Sequence, residues 1–216
     1  MTLSRLIRWS GMAFIVSGIL LIVVTLLHPD VLQTTFARAI LDTPWWVHIH
    51  VLFFAYALLG LLGAAGIYLS QVRETGALGL VGFLLVFVGL IAVAGLALFE
   101  AFVMPPLATS APATLSLDGP IFTNPLTYVG FSLDSLYPLG FVLLGIATLR
   151  AGVMSRWGAL LLTLGVPLTA VFEGLFVPFL GIASVLVLAA GQAWLGYDLW
   201  AARDTVPRGE RLASTV

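Results

Sequence analysis

Two glutamates lie inside stretches of the chain that otherwise contain apolar residues and glycine. Glu100 belongs to FEAFVMP and Glu173 to FEGLFVP, so both stretches share the pattern Phe-Glu, four residues, Pro. An ionised carboxylate in the membrane centre costs about 2.5–3.5 kcal/mol even on a lenient insertion scale, so such residues usually face a bundle interior and have partners. The repeated pattern therefore predicts one polar site that both glutamates share.

Three histidines and one aspartate are predicted at the same depth of the membrane as these glutamates. His28 ends the first apolar run, the sequence HIH at 48–50 opens the second, and Asp134 lies two turns into the fourth. With a rise of about 1.5 Å per residue, all of these groups fall in the outer half of the membrane. Positions two apart face nearly opposite sides of a helix, so we expect His50 in the site and His48 at the headgroups.

Imidazoles and carboxylates from several helices are ligands typical of transition metals, which predicts a metal site. The predicted ligands are His28, His50, Glu100, Asp134 and Glu173. Supporting groups are expected from the hydroxyls one turn away and from the second histidine of HIH, namely Thr25, Tyr137, Thr169 and His48. Nitrogen and oxygen ligands without thiolate suit Fe, Mn, Zn or Cu. A haem with His28 and one of the other two histidines as axial ligands is the less favoured cofactor.

The composition shows which elements must position these residues. Of 216 residues, 61% are hydrophobic and only 9% are charged, and the mean hydropathy is +1.12, far outside the balance of soluble domains. Apolar runs of about 20 residues, too long for barrel strands, predict membrane-spanning helices. The six runs lie near 8–28, 45–70, 77–103, 127–149, 157–178 and 180–202. We therefore predict an all-α bundle of six transmembrane helices in a single domain, residues 1–216, with short cytoplasmic tails.

The arginines predict the orientation of the chain, since lysine is absent. When the connections are assigned alternately, Arg38 falls alone on one side. The other eight are Arg5, Arg8, Arg73, Arg150, Arg156, Arg203, Arg208 and Arg211. Because cytoplasmic loops carry the excess of basic residues, both termini are predicted in the cytoplasm and the protein in the inner membrane of the cell. Trp45 and Trp46 are then expected at the outer interface as part of an aromatic belt.

The connections and an internal repeat complete the predicted architecture. Residues 29–44 have apolar positions at helical spacing, which predicts a short helix in the outer headgroup region, whereas 105–126, rich in Pro, Ser and Thr, is either a lid or disordered. RWSG at the start of the first run recurs as RWGA at the start of the fifth, alongside the Phe-Glu repeat. The predicted unit is a helix pair used three times in parallel orientation.

Three functions are compatible with these patterns. The first is a metal-binding membrane site with redox or hydrolytic chemistry. The second is an accessory or structural subunit of a larger membrane complex, and the third is a proton-coupled transporter of small molecules. The expected partners are the lipid bilayer and either other membrane subunits or further copies of the chain. No basic patch indicates nucleic acid, and the absence of cysteine excludes disulfides and thiolate sites.

Overall fold

The computed structural model describes residues 2–29, 35–174 and 178–202, except for the side chains of residues 173, 174 and 178. Every regular element in these ranges is helical. The α-helices are α1 (Leu3–Leu27), α2 (Phe36–Asp42), α3 (Trp46–Ser70), α4 (Val72–Phe102), α5 (Met104–Ser110), α6 (Pro120–Thr123), α7 (Pro125–Ser132), α8 (Leu136–Ala151), α9 (Arg156–Gly174) and α10 (Pro178–Ala201). Two short 3-10 segments, Pro112–Leu115 and Leu133–Ser135, lie among them.

Within the described ranges, five helical stretches are long and apolar enough to cross a membrane. They are Leu3–Leu27, Trp46–Ser70, Val72–Ser110, Pro125–Ala151 and Phe179–Ala201. The described part of α9 adds a shorter apolar helix, Arg156–Phe172. The all-helical, multi-pass character of the protein is therefore confirmed, with five stretches rather than the predicted six reaching spanning length among the described residues.

The long helices pack in the order of the sequence. Each of α1, α3, α4, α8, α9 and α10 packs against the next, and α10 returns to pack against α1. Large side chains fill the centre, where the rings of Phe14 and Phe141 lie 6.0 Å apart. Glycine lets the backbones approach closely: a Cβ on Gly82 would lie 3.1 Å from the carbonyl oxygen of Gly140, on the facing helix.

The bundle has two chemically different ends. At the end that we call the arginine end, α1 begins beside the end of α10, with the rings of Trp9 and Trp200 5.5 Å apart. The turn before α9 lies here too, since the backbone N–H of Ser155 donates to Asp198 on α10 (2.8 Å). At the opposite end, which we call the histidine end, α1 terminates at Leu27 and α3 begins at Trp46.

Gly76 marks the point where the turn after α3 becomes a continuous helix. Its φ of 55° and ψ of −149° interrupt the helical geometry inside α4. L side chains rarely adopt such a conformation, so glycine is required there. The regular helix therefore starts close to residue 77, as the apolar run predicts.

The predicted fourth run is not one regular helix. The side-chain oxygen of Asn124 accepts the backbone N–H of Leu126 at 2.9 Å and thereby caps α7. The 3-10 segment Leu133–Ser135 then separates α7 from α8. Pro138 has no N–H to donate to the carbonyl of Asp134. The regular series of α-helical hydrogen bonds therefore does not continue through this segment.

A second, smaller apolar core covers the histidine end. It is formed by α2, α5, the 3-10 segment Pro112–Leu115 and α6, which together we call the cap. Its buried residues are Ala37, Ala39, Ile40, Trp46, Met104, Ala108 and Leu115, and the rings of Phe36 and Phe122 stack at 5.2 Å. The predicted short helix in 29–44 is thus confirmed as α2. Residues 105–126 are short helical pieces packed on α2, not a disordered loop.

Candidate functional site

His50 and Glu100 form a buried pair between α3 and α4. The Nε2 atom of His50 lies 3.4 Å from the Oε2 atom of Glu100. The imidazole is 1% exposed and the glutamate side chain 21%. The separation exceeds the usual hydrogen-bond range of about 2.7–3.2 Å, and Nε2 of His50 has no hydrogen-bond partner among the described residues.

The other ring nitrogen determines which tautomer of His50 is present. Nδ1 lies 2.8 Å from the carbonyl oxygen of Trp46, one helical turn earlier. A carbonyl oxygen only accepts hydrogen bonds, so Nδ1 must carry the proton. In the neutral imidazole the lone pair is then on Nε2, which faces the carboxylate of Glu100. Two electron-rich atoms face each other in a protein interior, an arrangement that requires a cation or a proton between them.

Trp46 holds both members of this pair. Its indole N–H donates to the backbone carbonyl of Glu100 at 2.8 Å, and its ring lies 4.3 Å from the ring of His50. The carbonyl of Glu100 belongs to the last turn of α4, where intrahelical partners are missing. Pro105 and Pro106 remove two further backbone donors just beyond that turn. Trp46 therefore supplies a hydrogen bond that the end of α4 needs, and so fixes α4 against α3.

His28 lies at the edge of the same cluster. It follows the last residue of α1, and its ring is 5.4 Å from the ring of His50 and 5.9 Å from that of Trp46. Its Nδ1 donates to the carbonyl of Pro29 at 2.9 Å. His28 is exposed, but partial desolvation by the neighbouring protein lowers its pKa, although the hydrogen bond to Pro29 acts in the opposite direction. Neutral His28 is therefore favoured.

Asp134 approaches the cluster from the 3-10 segment between α7 and α8. This segment packs against α4, and the carboxylate of Asp134 is close enough to Glu100 to interact with it electrostatically. Asp134 is half-buried. The interruption of the helix thus brings a second carboxylate towards the one beside His50.

The remaining predicted residues have different surroundings. His48 is exposed while His50 is buried, in agreement with their spacing on the helix. The hydroxyl of Thr169 donates to the carbonyl of Gly165 on its own helix (2.9 Å), so its proton is not available to a neighbouring helix. Thr25 and Tyr137 are half-buried and both have interaction partners. The side chain of Glu173 lies outside the described part of the structure.

The five predicted ligands do not form one complete set among the described residues. His28, His50, Glu100 and Asp134 all lie at the histidine end, with the contacts given above. However, the described ranges contain no group of three or more His, Asp or Glu side chains arranged to hold a metal ion. Of the predicted ligands whose side chains the structure describes, His50 and Glu100 are the two whose side-chain N and O atoms lie within 4 Å of each other.

Sequence reasoning assigned Trp46 to the outer aromatic belt, and this was wrong. Trp46 is 3% exposed, whereas its neighbour Trp45 is 51% exposed and has the surface position expected of an interfacial residue. The available signal was the spacing of Trp46 and His50, which are four residues apart and therefore share a helix face. That spacing does not identify the partner of the indole N–H on another helix.

Fold and site together define an all-helical, multi-pass membrane protein with a buried histidine–carboxylate pair at one end of its helix bundle. Comparison of the chain with protein-family models, with curated proteins and with solved structures gives no match.

Proposed function

We propose that this protein is a metal-binding membrane protein that holds a transition-metal ion between His50 and Glu100. The observation that carries the proposal is the buried Nε2 atom of His50, which faces a carboxylate without a hydrogen bond. Metal-ligating histidines usually donate their other ring N–H to a carbonyl or carboxylate. The bond from Nδ1 of His50 to the carbonyl of Trp46 has this form.

The distance between the two candidate ligand atoms supports the same proposal. Zinc binds histidine nitrogen and carboxylate oxygen at about 2.0–2.2 Å in tetrahedral geometry, so two such ligands lie about 3.4 Å apart. Nε2 of His50 and Oε2 of Glu100 are separated by 3.4 Å. Among the candidates Fe, Mn, Zn and Cu, this separation favours Zn²⁺ or another tetrahedral ion.

Other ligands would complete the coordination shell. His28 and Asp134 are the nearest described candidates, and Glu173 is proposed from its place in the repeat. An ion that keeps one open position can activate bound water or polarise a substrate, which is the basis of the hydrolytic or redox chemistry proposed here. Trp46 would orient both protein ligands, and the cap would limit the access of bulk water.

Elemental mass spectrometry tests the proposal directly. The protein is purified in mild detergent without chelator and without metal-affinity resin, and its metal content is measured. We expect about one equivalent in the wild type and loss of most of it in His50→Ala and Glu100→Gln. His48→Ala is the matched control, because it removes the same side chain from an exposed position two residues away. Glu173→Gln tests whether the second Phe-Glu stretch supplies a ligand, and optical spectra test for haem.

Two outcomes would overturn the metal assignment. Equal loss of metal in His48→Ala and His50→Ala would mean surface binding, and a metal-free, folded wild type would mean that a proton joins His50 and Glu100. The second outcome favours the other two proposals, proton-coupled transport or a structural role in a membrane complex. Uptake into liposomes that depends on a proton gradient and fails in Glu100→Gln would then indicate transport. A partner subunit retained in gentle detergent would indicate the accessory role.

We further propose six membrane spans built from three parallel helix pairs. The histidine end then lies on the outer side of the cell membrane, and both termini lie in the cytoplasm. The ring of helices in sequence order and the clustering of arginines support this topology. Because the chain has no cysteine, single introduced cysteines can show which side of the membrane a position faces. We expect an impermeant maleimide to label Ala113→Cys in intact cells but not Val153→Cys, both exposed positions. Labelling of Val153→Cys but not of Ala113→Cys would mean that the orientation is opposite to the one proposed.

A further inference from the structure

The arginine end contains two adjoining crevices between the start of α1 and the end of α10. One has a volume of about 290 Å³ and the other about 250 Å³, and they share Arg8 and Trp200. Their larger lining side chains are Arg5, Arg8, Trp9, Tyr197 and Trp200, and Ala201 and Ala202 complete the lining. The site proposed at the histidine end lies at the other end of the bundle, so these crevices are independent of it.

Arg8 is held in place by α10. Its Nε donates to the backbone carbonyl of Trp200 at 3.2 Å, and its guanidinium carbon lies 4.9 Å from the centre of the Trp200 ring. The carbonyl belongs to the last turn of α10, where intrahelical donors are missing and a cation is favourable. This bond uses one of the five N–H groups of the guanidinium. The other four N–H groups belong to the two terminal nitrogens, which form a fork on a residue that lines both crevices.

No carboxylate of the described residues pairs with the two arginines of the crevices. Across residues 2–29, 35–174 and 178–202, neither Arg5 nor Arg8 forms an ion pair with a carboxylate. Arg5 is exposed and lies one turn before Arg8, so both side chains reach the same side of α1. Two arginines at adjacent crevices therefore favour an anion.

The backbone beneath the crevices is closely packed. A Cβ on Gly196 of α10 would lie 2.6 Å from the carbonyl oxygen of Gly11 on α1, and a Cβ on Gly11 would overlap the carbonyl oxygen of Gly196. The two helices are therefore in direct backbone contact one turn below Arg8. This contact keeps Trp200 and the two arginines in fixed positions relative to each other.

We propose that these crevices bind the phosphate of an anionic phospholipid headgroup. The arginines lie at the end of membrane-spanning helices, beside tryptophans, which in membrane proteins favour the headgroup level. An arginine fork matches two phosphate oxygens, and basic pockets between transmembrane helices are known to accept acidic headgroups. The acyl chains would lie along the apolar surfaces of α1 and α10, where Leu6 and Trp194 are exposed.

Native mass spectrometry of delipidated protein, titrated with phosphatidylglycerol, measures this binding. Each basic residue near a membrane surface contributes about fivefold to the affinity for acidic lipid. We expect Arg5→Gln and Arg8→Gln each to weaken binding by about fivefold, and the double variant by about 25-fold. Arg8→Lys keeps the charge but removes the fork, so binding should fall between wild type and Arg8→Gln. Arg73→Gln is the matched control, because Arg73 is exposed and lines neither crevice.

Three results would overturn the proposal. Equal weakening by Arg73→Gln would mean unspecific attraction to the net charge, and unchanged binding in both Arg5→Gln and Arg8→Gln would mean that the lipid binds elsewhere. Competition by millimolar inorganic phosphate would mean a site for free phosphate, without a role for the lipid. Arg5→Gln keeps the test valid if Arg8→Gln does not fold, because the side chain of Arg5 is exposed.

Discussion

The two ends of the helix bundle hold their charged groups in different environments. At the histidine end, His50 is almost fully buried and Glu100 mostly so, and the cap packs over the tryptophan that holds them. At the arginine end, Arg5, Arg150 and Arg156 are exposed and the connecting turns are short. The same helices therefore terminate in a dry environment at one end and in an accessible one at the other.

This difference indicates which end of the bundle can bind a specific ion. Removing water strengthens electrostatic interactions, so a buried pair requires a specific cation or proton, whereas exposed charges interact weakly with many partners. Arg8 is intermediate: the residue is half-buried, and its Nε donates to the carbonyl of Trp200. We therefore propose metal binding at the histidine end and headgroup binding at the arginine end.

The largest expected effect tests the structural basis of the histidine end. Trp46→Ala removes a buried ring that joins α3, α4 and the cap, and truncation of such a ring typically lowers the free energy of unfolding by about 3–5 kcal/mol. It also leaves the carbonyl of Glu100 without its donor. We expect a loss of this size in SDS-induced unfolding of the protein in mixed micelles, followed by circular dichroism. Proteolysis within residues 105–126 should accelerate as the cap loosens.

Two neighbouring variants separate the causes of this effect. Trp45→Ala removes the same side chain from a site that is 51% exposed, so its effect should stay within about 0.5 kcal/mol. Trp46→Phe keeps most of the ring and removes only the N–H donor, which should cost about 1–3 kcal/mol because a buried carbonyl loses its partner. Equal effects of Trp45→Ala and Trp46→Ala would contradict the assignment of Trp46 as the anchor of the site.

An intermediate effect is expected where α1 and α10 meet at the arginine end. Gly11→Ala inserts a methyl group against the backbone of Gly196, and such overpacking typically costs about 1–3 kcal/mol. Gly95→Ala is the control, since nothing lies within 4 Å of a Cβ at that position and alanine is the better helix former by about 0.5–1 kcal/mol. Unfolding in mixed micelles should therefore show opposite signs for the two variants. A stabilising Gly11→Ala would contradict the backbone contact.

The sequence predicted the features that depend on local patterns. Apolar runs of spanning length identified the helices because lipid forces backbone groups to be satisfied within each segment. The 200° between His48 and His50 indicated that only one could be buried, and the structure buries His50. The third apolar run, predicted near 77–103, ends close to Phe102, the last residue of α4.

The features that the sequence did not predict depend on contacts between distant residues. Whether Trp45 or Trp46 is buried depends on the cap, whose helices α5 and α6 begin only at Met104 and Pro120. The 3-10 segment at Asp134 could not be located from apolar periodicity, because Leu133 and Leu136 continue the run. Burial of Trp46 and the break beside Asp134 both require the packed arrangement of α3, α4 and α8.

The smallest expected effect contrasts an exposed ion pair with the buried pair of His50 and Glu100 at the same end of the molecule. Nε of Arg38 lies 2.9 Å from the carboxylate of Asp42, one turn along α2, but the two side chains are 71% and 61% exposed. Water and salt screen such a pair, and pairs of this kind contribute about 0–1 kcal/mol. Moreover, an acidic residue that follows its basic partner on a helix is in the less favourable order. We therefore expect Arg38→Ala to change the unfolding free energy by at most about 0.5 kcal/mol, whereas Glu100→Ala changes it by more. A large effect of Arg38→Ala that persists at high salt would show that α2 depends on this ion pair rather than on the apolar core of the cap.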